Sequence, residues 1–355
     1  MLLVELTINS TLFKLSQEGI ALLIGGTELV VDENGNNITD ESANNIYIEI
    51  TRSDWWDGKI MSFSSPQLRV EQTYGGFAEM RFGSIILFPD LFEDDWPPPF
   101  NCPITVKYTT TTEEVAETLF VGNCHLASIN RTGVAYDFYG TQYENSAMIS
   151  SGESFNDDLD TVAAWFCHVD RLDLTLDTTY SRASSPTVVH TTSSDQIALK
   201  LFADIAAFFS HCFYIVGSTL YLIDMLLDNG SSTITEFDFM PSDYYTNAPL
   251  AQVVGQETEY TQESAYEYGQ TKEIMEYCTN QAQVETALSN ILAISNKSGC
   301  RLRMPFTGDI PLIGEKISWT DTSLGMDTDV YIRCRAVQYN FDSEEVIIEG
   351  EGVLT

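Results

Sequence analysis

Three of the four histidines stand next to a cysteine, and together these are the side chains that most often bind zinc. Neighbouring side chains on a strand point to opposite faces, so such a dipeptide does not easily offer both groups to one ion. No C-x2-C or H-x3-H pair accompanies them. We therefore expect no metal and no cofactor, and we interpret these residues and His190 as core or boundary residues. The three pairs are Cys124-His125, Cys167-His168 and His211-Cys212.

Motifs for nucleophilic catalysis or phosphate binding are missing. The chain has no G-x-S-x-G nucleophile elbow, no P-loop pattern and no G-x-G-x-x-G after a strand. The 52 acidic residues leave a glycosidase-like acid pair open, because its two carboxyl groups need only meet in space. Trp55, Trp56 and Trp96 would then stack on sugar rings, although such aromatics more often fill a core or an interface. We assign no catalytic residue and keep a carbohydrate-binding or glycan-degrading protein as the alternative.

The spacing Asp32-x-Asn34-x-Asn36 is similar to the start of a calcium loop. The glycine expected next is Asn37, and no acid stands at the twelfth position. Asn34-Gly35 also lies between an apolar run and an alternating segment at 46–50, which is typical of a hairpin. We expect a hairpin there.

Composition indicates a folded and strongly acidic protein. Of 355 residues, 44% are hydrophobic and 12% aromatic, and the formal net charge is -35. The length suits two or three domains. The charge argues against a protein that wraps nucleic acid or binds an anionic membrane surface, since both need Lys and Arg. A negative wall that DNA passes without adhering is compatible with it, and so is solubility in a high-salt habitat.

The first residues are apolar but carry no basic segment, and Glu5 interrupts them, so we expect no cleaved signal peptide. No window reaches about eighteen uncharged apolar residues, so we expect no membrane-spanning helix. The cysteines are odd in number and widely spaced, which favours free thiols in a reducing compartment. They stand at positions 102, 124, 167, 212, 278, 300 and 334.

A helix is predicted over residues 193–212. Its apolar residues recur at three- and four-residue steps, and Ser193 with Gln196 has the form of a capping box. A hairpin over 213–224 follows, in which Gly217-Ser218 suits a II′-type turn. Its second strand alternates, and we expect Tyr221 on the buried face. The helix stripe consists of Ile197, Leu201, Ile205, Phe208, Phe209 and Cys212.

A second helix is predicted over 281–294, with Asn280 as its cap and Ser298-Gly299 at its end. The remaining signals are β-type. Strands are expected at 67–72, 78–88, 104–108, 117–121, 314–319, 330–341 and 346–352.

These elements predict a β-rich α+β fold, in which two small antiparallel β-barrel-like units enclose an inserted helix-plus-hairpin module. The expected domains are an N-terminal β-barrel-like domain at 1–150, an acidic α+β module at 151–250, and a helix with a C-terminal β-barrel-like domain at 251–355. Their boundaries follow a polar, serine-rich stretch and a proline-marked turn.

This order of units resembles the baseplate hub or tail-tip proteins of tailed bacteriophages. The resemblance is carried by Phe213-Tyr214-Ile215-Val216-Gly217-Ser218-Thr219-Leu220-Tyr221-Leu222-Ile223-Asp224, with support from Gly308 to Ser318 and Val330 to Gly350. It implies a structural virion protein, not an enzyme, that is assembled in the host cytoplasm. Some relatives hold an iron-sulfur cluster through closely grouped cysteines, a grouping this chain lacks, so no cluster is implied.

The resemblance also implies partners. Members form a trimeric ring that continues the tail tube, bind a tube or distal tail protein on one side, and anchor a spike or fibre protein on the other. DNA passes through the lumen without specific binding. A hexameric distal-tail ring protein is a further alternative.

Overall fold

The structure is a computed structural model of the chain. It describes residues 2–8, 11–17, 27–29, 47–49, 56–63, 67–81, 84–89, 97–108, 117–140, 147–180, 185–227, 232–234, 243–246, 249–266, 268–305, 310–319, 330–340 and 345–352. The Asp32-Asn36 segment lies outside these residues. None of the three helices in the described part is long and apolar enough to cross a membrane.

The chain divides into two compact units. Unit 1 comprises Met1–Ser64 and Ser84–Phe138, and unit 2 comprises Ser65–Gly83 and Tyr139–Thr355. Residues 65–83 thus lie inside the N-terminal part of the sequence but belong to unit 2. The predicted division at 150 and 250 remains a prediction, because compactness does not show which parts fold alone.

Unit 1 contains a closed barrel in the order β1-β2-β5-β8-β11-β10-β9. Strands β3 and β4 form a separate antiparallel pair, with Leu29 opposite Tyr47. The barrel buries Ile85, Leu87, Ile104, Val106 and Tyr136. The strands are β1 Leu2–Ile8, β2 Thr11–Gln17, β3 Thr27–Leu29, β4 Tyr47–Glu49, β5 Trp56–Phe63, β8 Ser84–Leu87, β9 Asn101–Tyr108, β10 Glu117–Ile129 and β11 Val134–Gly140.

Unit 2 is organised around an 11-stranded sheet, whose main path runs β14-β18-β17-β7-β6-β26-β27-β24-β20. Strands β19 and β25 pair beside β26. The predicted C-terminal barrel is not confirmed, because the strands expected at 314–319, 330–341 and 346–352 lie in this large sheet. The strands of the 11-stranded sheet are β6 Gln67–Gln72, β7 Gly75–Arg81, β14 Thr175–Tyr180, β17 His211–Val216, β18 Thr219–Asp224, β19 Ser232–Ile234, β20 Asp243–Thr246, β24 Ser298–Pro305, β25 Lys316–Trp319, β26 Val330–Asn340 and β27 Glu345–Gly352.

Smaller sheets and three helices complete the described part of unit 2. Strands β12 and β16 pair, β13 pairs with β15, and β22-β21-β23 form a three-stranded sheet. The elements are β12 Met148–Ile149, β13 Ser154–Asp158, β15 Thr187–Thr191, β16 Gln196–Ile197, β21 Leu250–Gly255, β22 Thr261–Glu263, β23 Gln270–Ile274, α1 Leu159–Cys167, α2 Ala198–Phe208 and α3 Gln281–Ser295.

The β6–β7 hairpin occupies the middle of the large sheet. Strand β7 runs parallel to β17 with Phe77 opposite Phe213, and β6 runs antiparallel to β26 with Leu68 opposite Val337. Phe77 stacks on Phe213 at 5.1 Å between ring centroids, and Phe213 packs on Phe202 of α2 at 4.7 Å. The hairpin therefore links the middle of the chain to its C-terminal strands.

The first predicted helix has different ends. Residues 196–197 form strand β16, which pairs with Met148–Ile149. Helix α2 therefore begins at Ala198 and has no side-chain cap. The prediction of a capping box at Ser193 is wrong. Ser210 takes φ +58°, which breaks the helix before His211 enters β17. Long-range strand pairing at both ends shortened the helix.

The predicted hairpin is confirmed, with Gly217 at φ +59° in its two-residue loop. Its buried face was assigned wrongly. Leu220 and Leu222 belong to the hydrophobic core with α2, whereas Tyr221 is half-buried on the other face and stacks on Tyr214 at 5.0 Å.

Helix α3 agrees with its prediction within one residue, and the Asn280 side chain accepts from the Gln283 backbone N–H at 3.2 Å. Helix α1 was missed. Its signals are the Asp158 cap, which accepts from Thr161 N–H at 2.9 Å, and the apolar spacing from Val162 to Phe166.

Most predicted strands lie within a residue or two of those observed. The predicted strand at 78–88 is divided between β7 and β8, which belong to different units. The predicted strands at 104–108 and 117–121 are the cores of the longer β9 and β10.

We predict that Leu222→Asp abolishes cooperative folding, because it places an unpaired carboxylate in a fully buried position at a cost of several kcal/mol. Tyr221→Asp is the matched control on the adjacent, half-buried position and should stay soluble with a lower melting temperature. Calorimetry of both variants checks this. Equal melting of the two would contradict the assignment of faces.

Gly75→Ala should cost about 3 kcal/mol or more. Gly75 has φ +148°, and an added Cβ would lie 2.3 Å from the His211 backbone oxygen. Gly152→Ala is the control, since Gly152 has φ +89° but nothing within 4 Å of an added Cβ, and only the backbone strain of about 1 kcal/mol remains. Urea unfolding measures both, and a similar loss for the two would disprove the steric argument.

Candidate assembly surface

The cysteine-histidine pairs do not converge. Cys124 is buried and His125 half-buried next to it on β10, with the His125 ring 5.8 Å from that of Phe100. His211 and Cys212 are both buried and occupy successive positions of β17, which places their side chains on opposite faces. In the residues that the structure describes, no group of three or more His, Cys, Asp or Glu could hold a metal ion.

The other two histidines contact neighbouring side chains and differ in their exposure. His168 is exposed after α1, and its Nδ1 lies 3.3 Å from an Asp170 carboxylate oxygen. The His190 ring packs on Tyr277 at 4.8 Å, and burial lowers the pKa of His190 despite the opposing charge of Glu257.

All seven cysteines are buried and free. Burial raises the pKa of Cys167, Cys212 and Cys300 to about 12 and that of Cys278 to about 11. These four thiols therefore stay protonated near neutral pH and are poor nucleophiles.

Two of the three tryptophans considered for sugar stacking lie outside the described residues. Trp55 and Trp96 lie outside the described residues, and Trp56 begins strand β5. Trp165 is packed edge-on against Phe155 and Phe166, and the Arg171 guanidinium lies 3.4 Å from its ring centroid. Trp165 thus contributes to packing.

Several cations of unit 2 are bound by its own carboxylates. Arg301 and Arg69 both contact Glu349, at 2.6 and 3.2 Å. Arg335 forms a buried ion pair with Glu351. These pairs cross the β6-β26-β27-β24 part of the sheet and fix its register, since a one-residue slip would separate them.

Other basic groups are held by aromatic rings or backbone oxygens. Arg333 donates to the Gly314 backbone oxygen at 2.9 Å. Lys272 lies 4.5 Å from the Tyr74 ring centroid, and Lys316 lies 4.5 Å from that of Tyr331. The positive charges that nucleic acid needs are thus partly engaged within the protein.

The acidic residues are distributed differently. Many are exposed at turns and strand ends, whereas the buried carboxylates accept hydrogen bonds or form ion pairs within the protein. Glu276 is 3% exposed and accepts from the Thr258 hydroxyl at 2.6 Å beneath the loop that begins at Gly255. An added Cβ on Gly255 would lie 1.6 Å from a Glu276 oxygen. Exposed acids include Asp157, Asp170, Asp173, Asp195, Glu257, Glu259, Glu263 and Glu273.

An aromatic loop follows β22 and was not recognised in the sequence. Tyr268 is 95% exposed and Tyr266 49%. The loop is anchored by the Ser264 hydroxyl, which donates to the Leu250 oxygen at 2.8 Å, and by Gly269, where an added Cβ would meet Ala251 N at 2.3 Å. Exposed tyrosines on a well-anchored loop are candidates for contact with another protein.

A small cavity beside the large sheet offers no room for a substrate. Its volume is about 10 Å³, enough for one water molecule. It is lined by Thr73, Met225, Ile294, Arg333, Arg335, Glu351 and Gly352.

Asp204 is the half-buried carboxyl of α2. Burial raises its pKa, Lys200 opposes that change and Glu71 adds to it. A carboxyl whose pKa is raised on folding stabilises the protein below the unfolded pKa of about 3.8, and this contribution is lost as the pH rises through the folded value.

We therefore predict that Asp204→Asn raises the melting temperature at pH 7 by about 2 °C and that the difference disappears below pH 3.8. Glu263→Gln, at an exposed position of β22, is the control for loss of one carboxylate. Thermal unfolding from pH 3 to 8 measures both. A destabilised Asp204→Asn variant at neutral pH would contradict the prediction.

Three solved structures similar to most or all of this chain are tail proteins. The 43 kDa tail protein of prophage MuSo2 from Shewanella oneidensis has a TM-score of 0.55 at 9% identity, over 99% of this chain and 97% of that one. A tail protein from Neisseria meningitidis has a TM-score of 0.54 at 8% identity, over 99% and 96% of the two chains. A prophage tail protein from Listeria monocytogenes has a TM-score of 0.50 at 8% identity, over 88% and 93%.

No protein-family model matches the sequence, and no curated protein matches it. At identities this low, structural similarity establishes the fold, and function has to be argued separately. The chain has the fold of bacteriophage tail proteins, which confirms at the level of the fold the resemblance to the baseplate and tail-tip family.

Proposed function

We propose that the chain is a structural component of a phage tail, the baseplate hub or tail tip, which continues the tail tube and anchors a spike or fibre protein. The observation that carries the proposal is the extent of the similarity. It covers 99% of this chain and 97% of a tail protein. The similarity therefore extends over both compact units and is not limited to a single domain.

The charge distribution supports a role in DNA ejection. The net charge is -35, and arginines such as Arg69, Arg301 and Arg335 are engaged in internal ion pairs. A channel wall of this kind repels the phosphate backbone, so DNA passes along it without being held. In this proposal the chain is not an enzyme and needs no cofactor.

The proposed assembly is a homotrimer in which each subunit contributes two β-rich regions to the ring. The closed barrel of unit 1 supplies one, and the C-terminal strands of domain 251–355 supply the other, with module 151–250 between them in the sequence. The Tyr266–Tyr268 loop is a candidate contact with a tube, distal tail, spike or fibre protein. The particle would be assembled in the host cytoplasm and the chain would remain in the virion tail.

The proposal predicts a trimer, either of the purified chain or after a tail partner is added. Native mass measured by light scattering across a concentration series tests this. A hexamer would favour a distal-tail ring protein. A stable monomer that binds oligosaccharide would overturn the proposal in favour of the glycan protein.

A second expectation concerns DNA. Double-stranded DNA should form no complex with the protein even at low salt, where electrostatic binding is strongest. Gel mobility and sedimentation at two salt concentrations check this. A complex that forms at low salt and dissociates at high salt would contradict a passive channel wall.

A further inference from the structure

Cys102 and Cys124 lie directly opposite each other in unit 1. Strands β9 and β10 are antiparallel, and their register places Cys124 across from Cys102, with Asn101 opposite His125 on one side and Pro103 opposite Asn123 on the other. Opposed residues of an antiparallel pair direct their side chains to the same face. Both cysteines have 0% exposure, so both side chains belong to the core of the unit.

The spacing of such a pair suits a disulfide. Opposed residues of antiparallel strands have Cα atoms about 4.5 to 5.5 Å apart. Disulfides join residues whose Cα atoms are about 4.4 to 6.8 Å apart. The Cα spacing therefore permits a bond between the two thiols.

The two residues already interact. The Cys124 thiol donates to the Cys102 backbone oxygen at 3.5 Å. The neighbouring Cys124 side chain lowers the pKa of Cys102, and the Cys102 side chain raises the pKa of Cys124. The Tyr136 hydroxyl, which donates to the Pro99 backbone oxygen at 3.0 Å, also lowers the pKa of Cys102. Cys102 is therefore the better nucleophile of the two.

In the strand pairing of the large sheet of unit 2, no cysteine stands opposite another cysteine. Cys300 and Cys334 both stand opposite Gly350, on either side of β27, so two strand spacings of about 9.5 Å separate them. Cys212 stands opposite Ile223 on one side and Gly76 on the other. The Cys102–Cys124 pair is distinct from these in its register.

We propose that Cys102 and Cys124 form a reversible thiol–disulfide site whose co-reactant is a low-molecular-weight disulfide such as oxidised glutathione. The Cys102 thiolate attacks one glutathione sulfur, and the first glutathione leaves as a thiolate. The Cys124 sulfur loses its proton to solvent and attacks the Cys102 sulfur, and the second glutathione leaves. Two protein thiols give up two protons and two electrons, and one glutathione disulfide becomes two glutathione molecules.

The bond would join β9 to β10 within the barrel of unit 1 and close the segment between them. Because both sulfurs are buried, exchange proceeds through local opening of the strand pair and takes hours rather than seconds. The site does not depend on the proposed tail function. Its consequence is a barrel that is stabilised when the protein leaves a reducing environment for an oxidising one.

The experiment uses the reduced full-length chain in glutathione buffers of rising oxidised fraction, quenched with an alkylating reagent. Trypsin cleaves after Lys107, which separates the two cysteines. We expect peptide 82–107 linked to peptide 108–131, with the loss of two hydrogens, and a melting temperature raised by about 5 °C. Dithiothreitol should reverse both changes.

Cys124→Ser should abolish the linked peptide and the rise in melting temperature, whereas Cys167→Ser, at a buried cysteine of unit 2, should retain both. The peptide map of the unaltered chain decides the matter even if a variant fails to fold. Two results would overturn the proposal: linkage of these peptides only after denaturation, or a glutathione adduct on Cys102 that persists without the internal bond.

Discussion

The β6–β7 hairpin is the contact on which the large sheet of unit 2 depends. Strand β7 pairs with β17 and β6 with β26, so the hairpin joins strands of the middle of the chain to those of its end. Its turn passes so close to the backbone at His211 that Gly75 has no room for a side chain. Aromatic packing from Phe77 through Phe213 to Phe202 then attaches α2 to the same hairpin. Removal of this hairpin would leave two partial sheets with unpaired edges, a state that exposes backbone donors and acceptors.

Local elements were predictable where local chemistry determines them. Helix α3 was found because Asn280 caps it and its apolar stripe is regular. The ends of α2 were missed because residues 196–197 pair with a distant strand, which periodicity does not reveal. For the same reason the sequence did not show that residues 65–83 belong to unit 2. Tyr266 and Tyr268 were missed because tyrosines in a polar stretch give no signal of their exposure.

The negative charge of the surface depends on which charged side chains are paired within the protein. Basic side chains are drawn into ion pairs with Glu349 and Glu351 or onto aromatic rings, while many carboxylates remain exposed. An acidic exterior on a strand-rich scaffold suits a wall beside DNA better than a surface that binds it. The barrel of unit 1 adds two buried cysteines, Cys102 and Cys124, which lie opposite each other on β9 and β10.

The most direct test of the account is electron cryomicroscopy of phage particles purified from cells that produce this protein, with the chain located by a labelled antibody fragment. We predict three copies in a closed ring at the end of the tail tube, with the axial channel bordered by acidic residues. A chain located elsewhere in the particle, or absent from purified particles, would contradict the proposed role as a hub.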